Sequence, residues 1–360
     1  MMKMNKWTMA LAAAGVVSLS SVAQAQEAAA GADALAASTT LSGYVSSSYT
    51  FDGESGGSAD IMKTNSKLDG FSLDVVSLTL ASAQGAGEYA TGYTVQLWAG
   101  PDDQGTATTG TEEAIEVVQA NIDLRLPVGN GLDLKVGQFG TMVGYETYDY
   151  NQNAFFQRGL GFSVEPTHHT GVLASYQVSD NLSVSLGAVN DSTSAVTNTN
   201  DDDGSAAYLT SLSYTVGDNA GMLSGTTLYY GGVHGAQING DTTNERDTHY
   251  VQVGLPVPVE GLSLDLAADW VEGASSADDE IYQVYASYTL NDKATLNARY
   301  EFGSTDGAAG GTAYTGLESV AVGVTYDLWD NVISRVEYMS TSADNRSDDD
   351  TVAINLVYSF

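Results

Sequence analysis

Residues 118–126 read VQANIDLRL, and every second residue is apolar. Val118, Ala120, Ile122, Leu124 and Leu126 fall on one face of an extended chain, and Gln119, Asn121, Asp123 and Arg125 on the other, because successive side chains of a strand point to opposite sides. The same period recurs along the chain. Leu262, Leu264, Leu266, Ala268 and Trp270 oppose Ser263, Asp265 and Asp269, and Ala294, Leu296, Ala298, Tyr300 and Phe302 oppose Thr295, Asn297, Arg299 and Glu301. Leu182, Val184 and Leu186 oppose Ser183, Ser185 and Gly187. Each segment is about ten residues, the length that crosses a bilayer at a barrel tilt. Alternation fits a soluble sandwich as well as a membrane barrel, and the pattern of connections separates the two.

Sixteen strand candidates follow Leu41, and the connections between them alternate between long and short. The long ones span 53–67, 100–113, 141–167, 191–205, 236–246, 273–279, 304–315 and 341–348. The short ones lie at Gly85-Ala86-Gly87, Gly129-Asn130-Gly131, Asp180-Asn181, Gly217-Asp218-Asn219, Glu260-Gly261, Asn291-Asp292 and Asp330-Asn331. This rhythm predicts an all-β fold: a transmembrane antiparallel up-and-down β-barrel of about 16 strands, with long loops at one end and tight turns at the other. Tyr49, Phe51, Trp270, Tyr300, Phe302, Tyr326, Trp329, Tyr338, Tyr358 and Phe360 sit near strand ends, as interfacial aromatic girdles require. A basic group facing lipid near the midplane costs about 2–4 kcal/mol, so the polar faces point into a wet lumen. Val75-Val76 breaks the phase of the second strand and predicts a bulge, and Leu223 to Val233 phases either way.

Residues 1–25 carry Lys3 and Lys6, an apolar run from Met9 to Val17, and Ala23-Gln24-Ala25, the pattern of a secretory signal peptide. Residues 26–40 read as a short Ala-rich lead-in and 41–360 as the barrel. The chain has no cysteine, so disulfides and thiolate metal sites are excluded. With 12 Lys+Arg against 45 Asp+Glu, nucleic-acid binding is disfavoured, since phosphate contacts need a basic surface. No cofactor motif is visible. The last strand ends with Tyr358 and Phe360; it resembles the C-terminal signal of bacterial outer-membrane proteins, which implies the barrel-assembly machinery as a partner and a Gram-negative outer membrane as the location.

The longest interruption, 140–170, reads GTMVGYETYDYNQNAFFQRGLGFSVEPTHHT. Tyr145, Tyr148, Tyr150, Phe155 and Phe156 are too apolar for a solvated loop, while Glu146, Asp149, Asn151, Gln152, Asn153 and Arg158 are too polar for a core. Such a segment belongs inside something wet. Its surroundings resemble the OmpL-like beta-barrel porin-2 family: Val136-Gly137-Gln138-Phe139, Gly144-Tyr145-Glu146, Asn151-Gln152-Asn153, Pro166-Thr167-His168-His169-Thr170-Gly171-Val172 and Gly187-Ala188-Val189-Asn190 occur in that order. The resemblance implies an outer-membrane porin, and similarity to general sixteen-stranded porins implies that this third external loop folds inward as an eyelet. The constriction expected on this basis comprises Tyr145, Glu146, Asp149, Asn151, Asn153 and Arg158, the aromatics anchoring and Glu146, Asp149 and Arg158 facing water. The expected pore wall comprises Asp123, Arg125, Asp133, Lys135, Arg299, Glu301, Arg335 and Glu337. Basic wall groups opposite Glu146 and Asp149 would set a field across the eyelet; pairing of the charges within the wall is the duller alternative.

Other clusters point elsewhere only weakly. His168-His169 lacks a third metal ligand and suits a loop-to-strand hinge. No spacing brings Glu146 to Glu165 as an acid/base pair, and no nucleophile motif accompanies them, so an enzyme is not expected. Asp201-Asp202-Asp203-Gly204 and Asp348-Asp349-Asp350 depart from the calcium-loop pattern and read as solvated loop surface or divalent-ion bridges to lipopolysaccharide. The resulting expectation is passive diffusion of small hydrophilic solutes and ions with weak cation preference, among outer-membrane lipid and with a homotrimer as one possible assembly. The alternative is a receptor or adhesin acting through acidic external loops.

Overall fold

The computed structural model describes residues 38–52, 69–100, 115–192, 206–235, 246–273, 277–307, 312–344, 346 and 348–360. The signal peptide, most of the lead-in and Asp201-Asp202-Asp203-Gly204 lie outside them. Sixteen antiparallel strands form a closed barrel in which each pairs with its sequence neighbours and the first pairs with the last. They are β1 (Thr39–Asp52), β2 (Gly70–Ser82), β3 (Thr91–Ala99), β4 (Glu116–Leu126), β5 (Leu132–Gly140), β6 (His168–Ser179), β7 (Leu182–Val189) and β8 (Ala207–Thr215), then β9 (Thr227–Gly235), β10 (Asp247–Leu255), β11 (Leu262–Glu272), β12 (Asp278–Asn291), β13 (Ala294–Thr305), β14 (Tyr314–Trp329), β15 (Val332–Ser342) and β16 (Asp349–Ser359). The barrel closes where Gly43 and Phe360 exchange backbone hydrogen bonds of 3.0 Å in each direction. Closure leaves no strand edge unpaired, which is what lets strands cross hydrocarbon at all. No helix among the described residues is long and apolar enough to cross a membrane.

The alternation is realised as expected along most strands. On β13, Leu296, Tyr300 and Phe302 are exposed on the outside while Asn297, Arg299 and Glu301 are buried inside. Aromatic side chains ring both ends of the outer face. Tyr49, Phe51, Phe71, Tyr208, Tyr300, Phe302 and Tyr338 lie towards the long loops, and Tyr214, Tyr288, Tyr326, Trp329, Tyr358 and Phe360 towards the tight turns.

Register shifts interrupt several strand pairs, and two of them bear on the lumen near the β5–β6 connection. In β2 the register shifts so that Ser46 faces Val75 and Ser47 faces Leu73, which leaves Asp74 as the extra residue. Asp74 and Val75 are thus both buried in the lumen, and Ser46 and Ser48 donate to the Asp74 carboxylate at 2.7 and 2.6 Å. The bulge expected near Val75-Val76 exists one residue earlier. In β4, Gln96 faces Gln119 and Leu97 faces Val117, making Val118 the extra residue. Its side chain therefore turns inward against Trp98 and Tyr148, which corrects its placement on the outer face with Ala120 and Ile122. The Nε2 of Gln138 donates to the carbonyls of Val117 and Val118 at 2.6 and 3.0 Å, holding the backbone that the bulge releases.

One tight turn is longer than the sequence suggests. The β8–β9 connection contains a 3-10 helix at Asp218–Leu223, so the strand expected from Leu223 begins at Thr227. That settles its phase, with Tyr229 and Val233 buried inside and Leu228 exposed outside.

Candidate functional site

The buried apolar groups of the barrel gather inside it, around the segment joining β5 to β6. This loop is pinned at its base, where Thr141 donates to the Thr167 carbonyl at 2.9 Å. It contains a 3-10 turn at Tyr150–Gln152 and a helix α1 at Leu160–Val164, and its side chains reach the wall on opposite sides.

On the β9–β12 side, Met142 and Val143 pack against Tyr229, Val233 and Tyr250. Tyr145 stacks on Tyr285 with ring centroids 3.7 Å apart and donates to Asp265 at 3.3 Å. Across the lumen, Tyr148 lies 5.6 Å from Trp98, donates to Gln96 Oε1 at 3.0 Å and meets Gln119. The Asp149 carboxylate accepts from Tyr44 at 3.0 Å and from Gln96 at 2.8 Å. Asn153 staples the turn between these contacts, accepting from Thr147 N–H at 2.9 Å and donating to the Thr147 and Asp149 carbonyls at 2.6 and 2.9 Å.

The β13–β15 wall grips the second half of the loop by its backbone. Glu337 accepts from the N–H groups of Phe156 and Gln157, both at 2.7 Å, and Glu301 from those of Leu160 and Gly161 at 3.0 and 3.1 Å. Arg335 donates to the carbonyls of Tyr150 and Asn153 at 2.8 and 2.7 Å. Arg299 donates to the Gln157 carbonyl at 3.1 Å, pairs with Glu146 at 2.6 Å and with Glu301 at 3.0 Å. Glu146 also accepts from Gly159 N–H at 2.7 Å. Gly159 makes this approach possible, because a Cβ there would collide with the Glu301 carboxylate. Arg158 turns back on the loop itself, donating to the Tyr148 carbonyl at 2.8 Å, with its guanidinium 4.6 Å from the Tyr150 ring centroid.

Glu146, Asp149, Asn153 and Arg158 are consequently buried, whereas Glu146, Asp149 and Arg158 were expected to face water. The reason is energetic. A buried charge is tolerated when paired or hydrogen-bonded: Glu146 pairs with Arg299 of the wall, Asp149 accepts from Tyr44 and Gln96, and Arg158 donates to the Tyr148 carbonyl. Tyr145 and Asn151 are only partly buried. Of the expected wall residues, Arg299, Glu301, Arg335 and Glu337 are enclosed and hold the loop. Arg125 with Asp133 and Lys135 with Asp123 form two ion pairs of 3.2 Å across β4 and β5 and keep part of their surface exposed. The pairing alternative therefore describes this wall better than a field of opposed charges.

A cavity of about 100 Å³, open to solvent, is left beside the loop; Gln119, Lys135, Leu173 and Tyr229 line it from the wall, and Thr147, Tyr148 and Gln152 from the loop. Burial pushes the Asp149 carboxyl up to about 6, against hydrogen bonds from Gln96 and Tyr44 that lower it. Burial likewise raises Glu165 well above the usual carboxylate range, reinforced by Asp269 and then by Glu146 and Glu301. The fold thus brings Glu165 and Glu146 within electrostatic reach, which sequence spacing does not. His168 packs on Tyr148 with ring centroids 4.2 Å apart, and His169 Nε2 lies 3.0 Å from Thr141 Oγ1; both begin β6 at the loop-to-strand junction. Among the described residues no three His, Cys, Asp or Glu side chains are disposed to hold a metal ion. Sequence reasoning missed Tyr44, Gln96, Trp98 and Tyr285. Their only signal is that they are inward positions too large or too polar for a strand that merely lines water.

The sequence profile of the OmpL-like beta-barrel porin-2 family matches residues 38–358, the whole barrel. The chain belongs to that family. Among solved structures, an anion-selective porin from Comamonas acidovorans is 11% identical, with 90% of this chain and 99% of that chain covered and a TM-score of 0.63. Salmonella typhi OmpF in complex with daunomycin is 13% identical over 89% of this chain and 97% of that one, with a TM-score of 0.62. OmpT of Vibrio cholerae in its trimer form is 13% identical over 89% and 99%, with a TM-score of 0.57. At these identities the likeness is one of fold. No curated protein matches the chain in sequence. As a member of the porin-2 family, the protein resides in the outer membrane of a Gram-negative bacterium and is an outer-membrane porin.

Proposed function

We propose that this porin passes small hydrophilic solutes and ions by passive diffusion, without enzymatic chemistry, and that the 141–167 loop is its constriction. The observation that carries the reading is the loop's span: this one segment bonds through side chains to β1, β3 and β4 on one side and to β11 and β13 on the other, and through its backbone N–H to β15. A gap open to solvent lies beside Gln119, Lys135 and Tyr148. Tyr145, Glu146, Asp149, Asn151, Asn153 and Arg158 act there mainly by fixing where the loop lies. The part-exposed Asp123–Lys135 and Arg125–Asp133 pairs are the charges a solute meets on the wall.

Weak cation preference follows from the balance of charge. The chain carries 45 Asp+Glu against 12 Lys+Arg, and the inward, partly buried Asp265 adds a carboxylate beside Tyr145. Lys135 and Arg125 keep the preference modest. We further read residues 1–25 as a signal peptide, Tyr358 and Phe360 as the signal for the barrel-assembly machinery, and lipid with lipopolysaccharide as the surroundings. A homotrimer is the assembly favoured by the likeness to the trimer form of OmpT.

Planar-bilayer conductance with a salt gradient tests the reading. The expected result is discrete channels with a small reversal potential of cation-selective sign, shifted toward anions by Glu146→Gln with Asp149→Asn. Absence of channels from folded protein would overturn the function, and an anion-selective sign the preference.

A further inference from the structure

Towards the long-loop end of β8–β10, the outer face of the barrel carries a group of polar side chains that the lumen does not use. Since Leu209, Tyr229, Val233 and Tyr250 point inward, Thr210, Tyr230, His234, Asp247 and His249 occupy outward positions. His234 pairs in register with Tyr208 and His249 with Trp270, so both imidazoles lie at the height of the aromatic girdle. The group converges. Tyr230 Oη lies 3.0 Å from His249 Nδ1 and 3.5 Å from His234 Nε2, Thr210 Oγ1 is 3.3 Å from His234 Nε2, and the two imidazole centroids are 4.9 Å apart. Asp247 Oδ1 sits 3.7 Å from His234 Nδ1 and accepts from Gly235 N–H at 3.0 Å.

Gly232 forms the floor. A Cβ there would meet His234 Nε2 and Tyr230 Oη at 2.5 Å and Thr210 Oγ1 at 2.9 Å, so the glycine is what lets three side chains close over bare backbone. Polar groups on the lipid-facing side of a barrel are expensive, and here they are gathered into a notch with His234 and Asp247 side chains 30% and 43% exposed. The arrangement is not that of a metal site, because among the described residues no three ligating groups are suitably disposed. It offers hydroxyl and imidazole donors at the level of outer-leaflet headgroups. β8–β10 hold no Lys or Arg, so the imidazoles are the groups on this face able to answer an anion.

We propose that this notch binds the phosphate of an outer-leaflet glycolipid headgroup. Asp247 stands 3.7 Å from His234 Nδ1, too far for a hydrogen bond, so the protonated His234 can donate through Nε2 to a phosphate oxygen, while His249, Tyr230 and Thr210 supply the remaining donors. The proposal does not rest on the channel reading, since the notch faces away from the lumen.

Native mass spectrometry of the purified full-length protein in detergent tests it, using a bisphosphorylated glucosamine lipid, the same lipid dephosphorylated, inorganic phosphate and Zn²⁺ as separate probes. The expected result is retention of the phosphorylated lipid alone, weakened about tenfold or more in His234→Gln/His249→Gln, in line with loss of charge-assisted hydrogen bonds. Bilayer conductance should be unchanged in that variant, which separates failure here from failure of the channel reading. Should the double variant not fold, Gly232→Ala, which fills the floor, is expected to give the same loss. Equal retention by wild type and variants, equal retention of the dephosphorylated lipid, free phosphate bound as tightly as the lipid, or Zn²⁺ binding that the variant abolishes without affecting the lipid would each overturn the proposal.

Discussion

Arg299 shows what a charge inside this barrel does. Its guanidinium has no exposed surface and joins Glu146 of the loop to Glu301 of its own strand. Removing one partner of a buried pair leaves the others uncompensated, at a cost of about 3–5 kcal/mol. Arg299→Ala should therefore free the loop without dissolving the barrel, seen as new protease cleavage within 141–167 and noisier channels; an uncut loop would show that the pair is dispensable. Arg299→Lys should recover only part of the hold, since an ammonium cannot reproduce the fork. Asp149 adds a pH dependence of known sign. Its pKa is raised from 3.8 to about 6 in the folded protein, so docking of the loop is most favourable below pH 4 and loses that contribution as pH rises through 6. Conductance and cation preference should fall on acidification from pH 7.5 to 5. In Asp149→Asn the part of the step centred near 6 should vanish.

At the scale of the element, the loop has little regular structure to hold it up. Its helix spans five residues, with no side-chain cap, which is too short to be stable alone. The wall takes over the role of caps: Glu301 accepts from the first N–H groups of the helix, where the unsatisfied donors and the dipole favour a carboxylate. Deleting 145–158 removes the Tyr148, Asp149 and Phe156 contacts together. The expected outcome is a several-fold larger single-channel conductance and entry of larger solutes in a liposome-swelling assay. Unchanged conductance would place the limiting gap elsewhere in the barrel.

For the whole molecule, stability lies in a hydrogen-bond ladder with no open edge. Unboiled protein should migrate differently from boiled protein on a denaturing gel, and identical mobility would contradict a closed barrel. The seam is where β16 meets β1, and Phe360 both bonds Gly43 there and packs 6.3 Å from Tyr358 on the outer face. Removing Phe360 should lower the folded amount in the outer membrane and leave degradation products in the periplasm. Normal levels would make the aromatic end incidental to assembly.

The sequence by itself determined the barrel. A period of two residues, the long and short connections and the aromatic ends are local signals, each written within a dozen residues, and they place Arg125, Lys135, Arg299 and Arg335 inward because any other phase would put charge in lipid. Even the β2 bulge is visible as a break at Val75-Val76. The β4 bulge is not, because Val118 continues the alternation on paper and only pairing with β3 makes it the extra residue. What tertiary structure alone decided is the fate of the charges. Glu146 and Arg299 are 153 residues apart in sequence, and nothing local in either says that they meet. Polarity told that these groups face the lumen, but whether a lumen charge meets water or another charge depends on which parts of a closed ring the loop reaches, and that is a property of the ring.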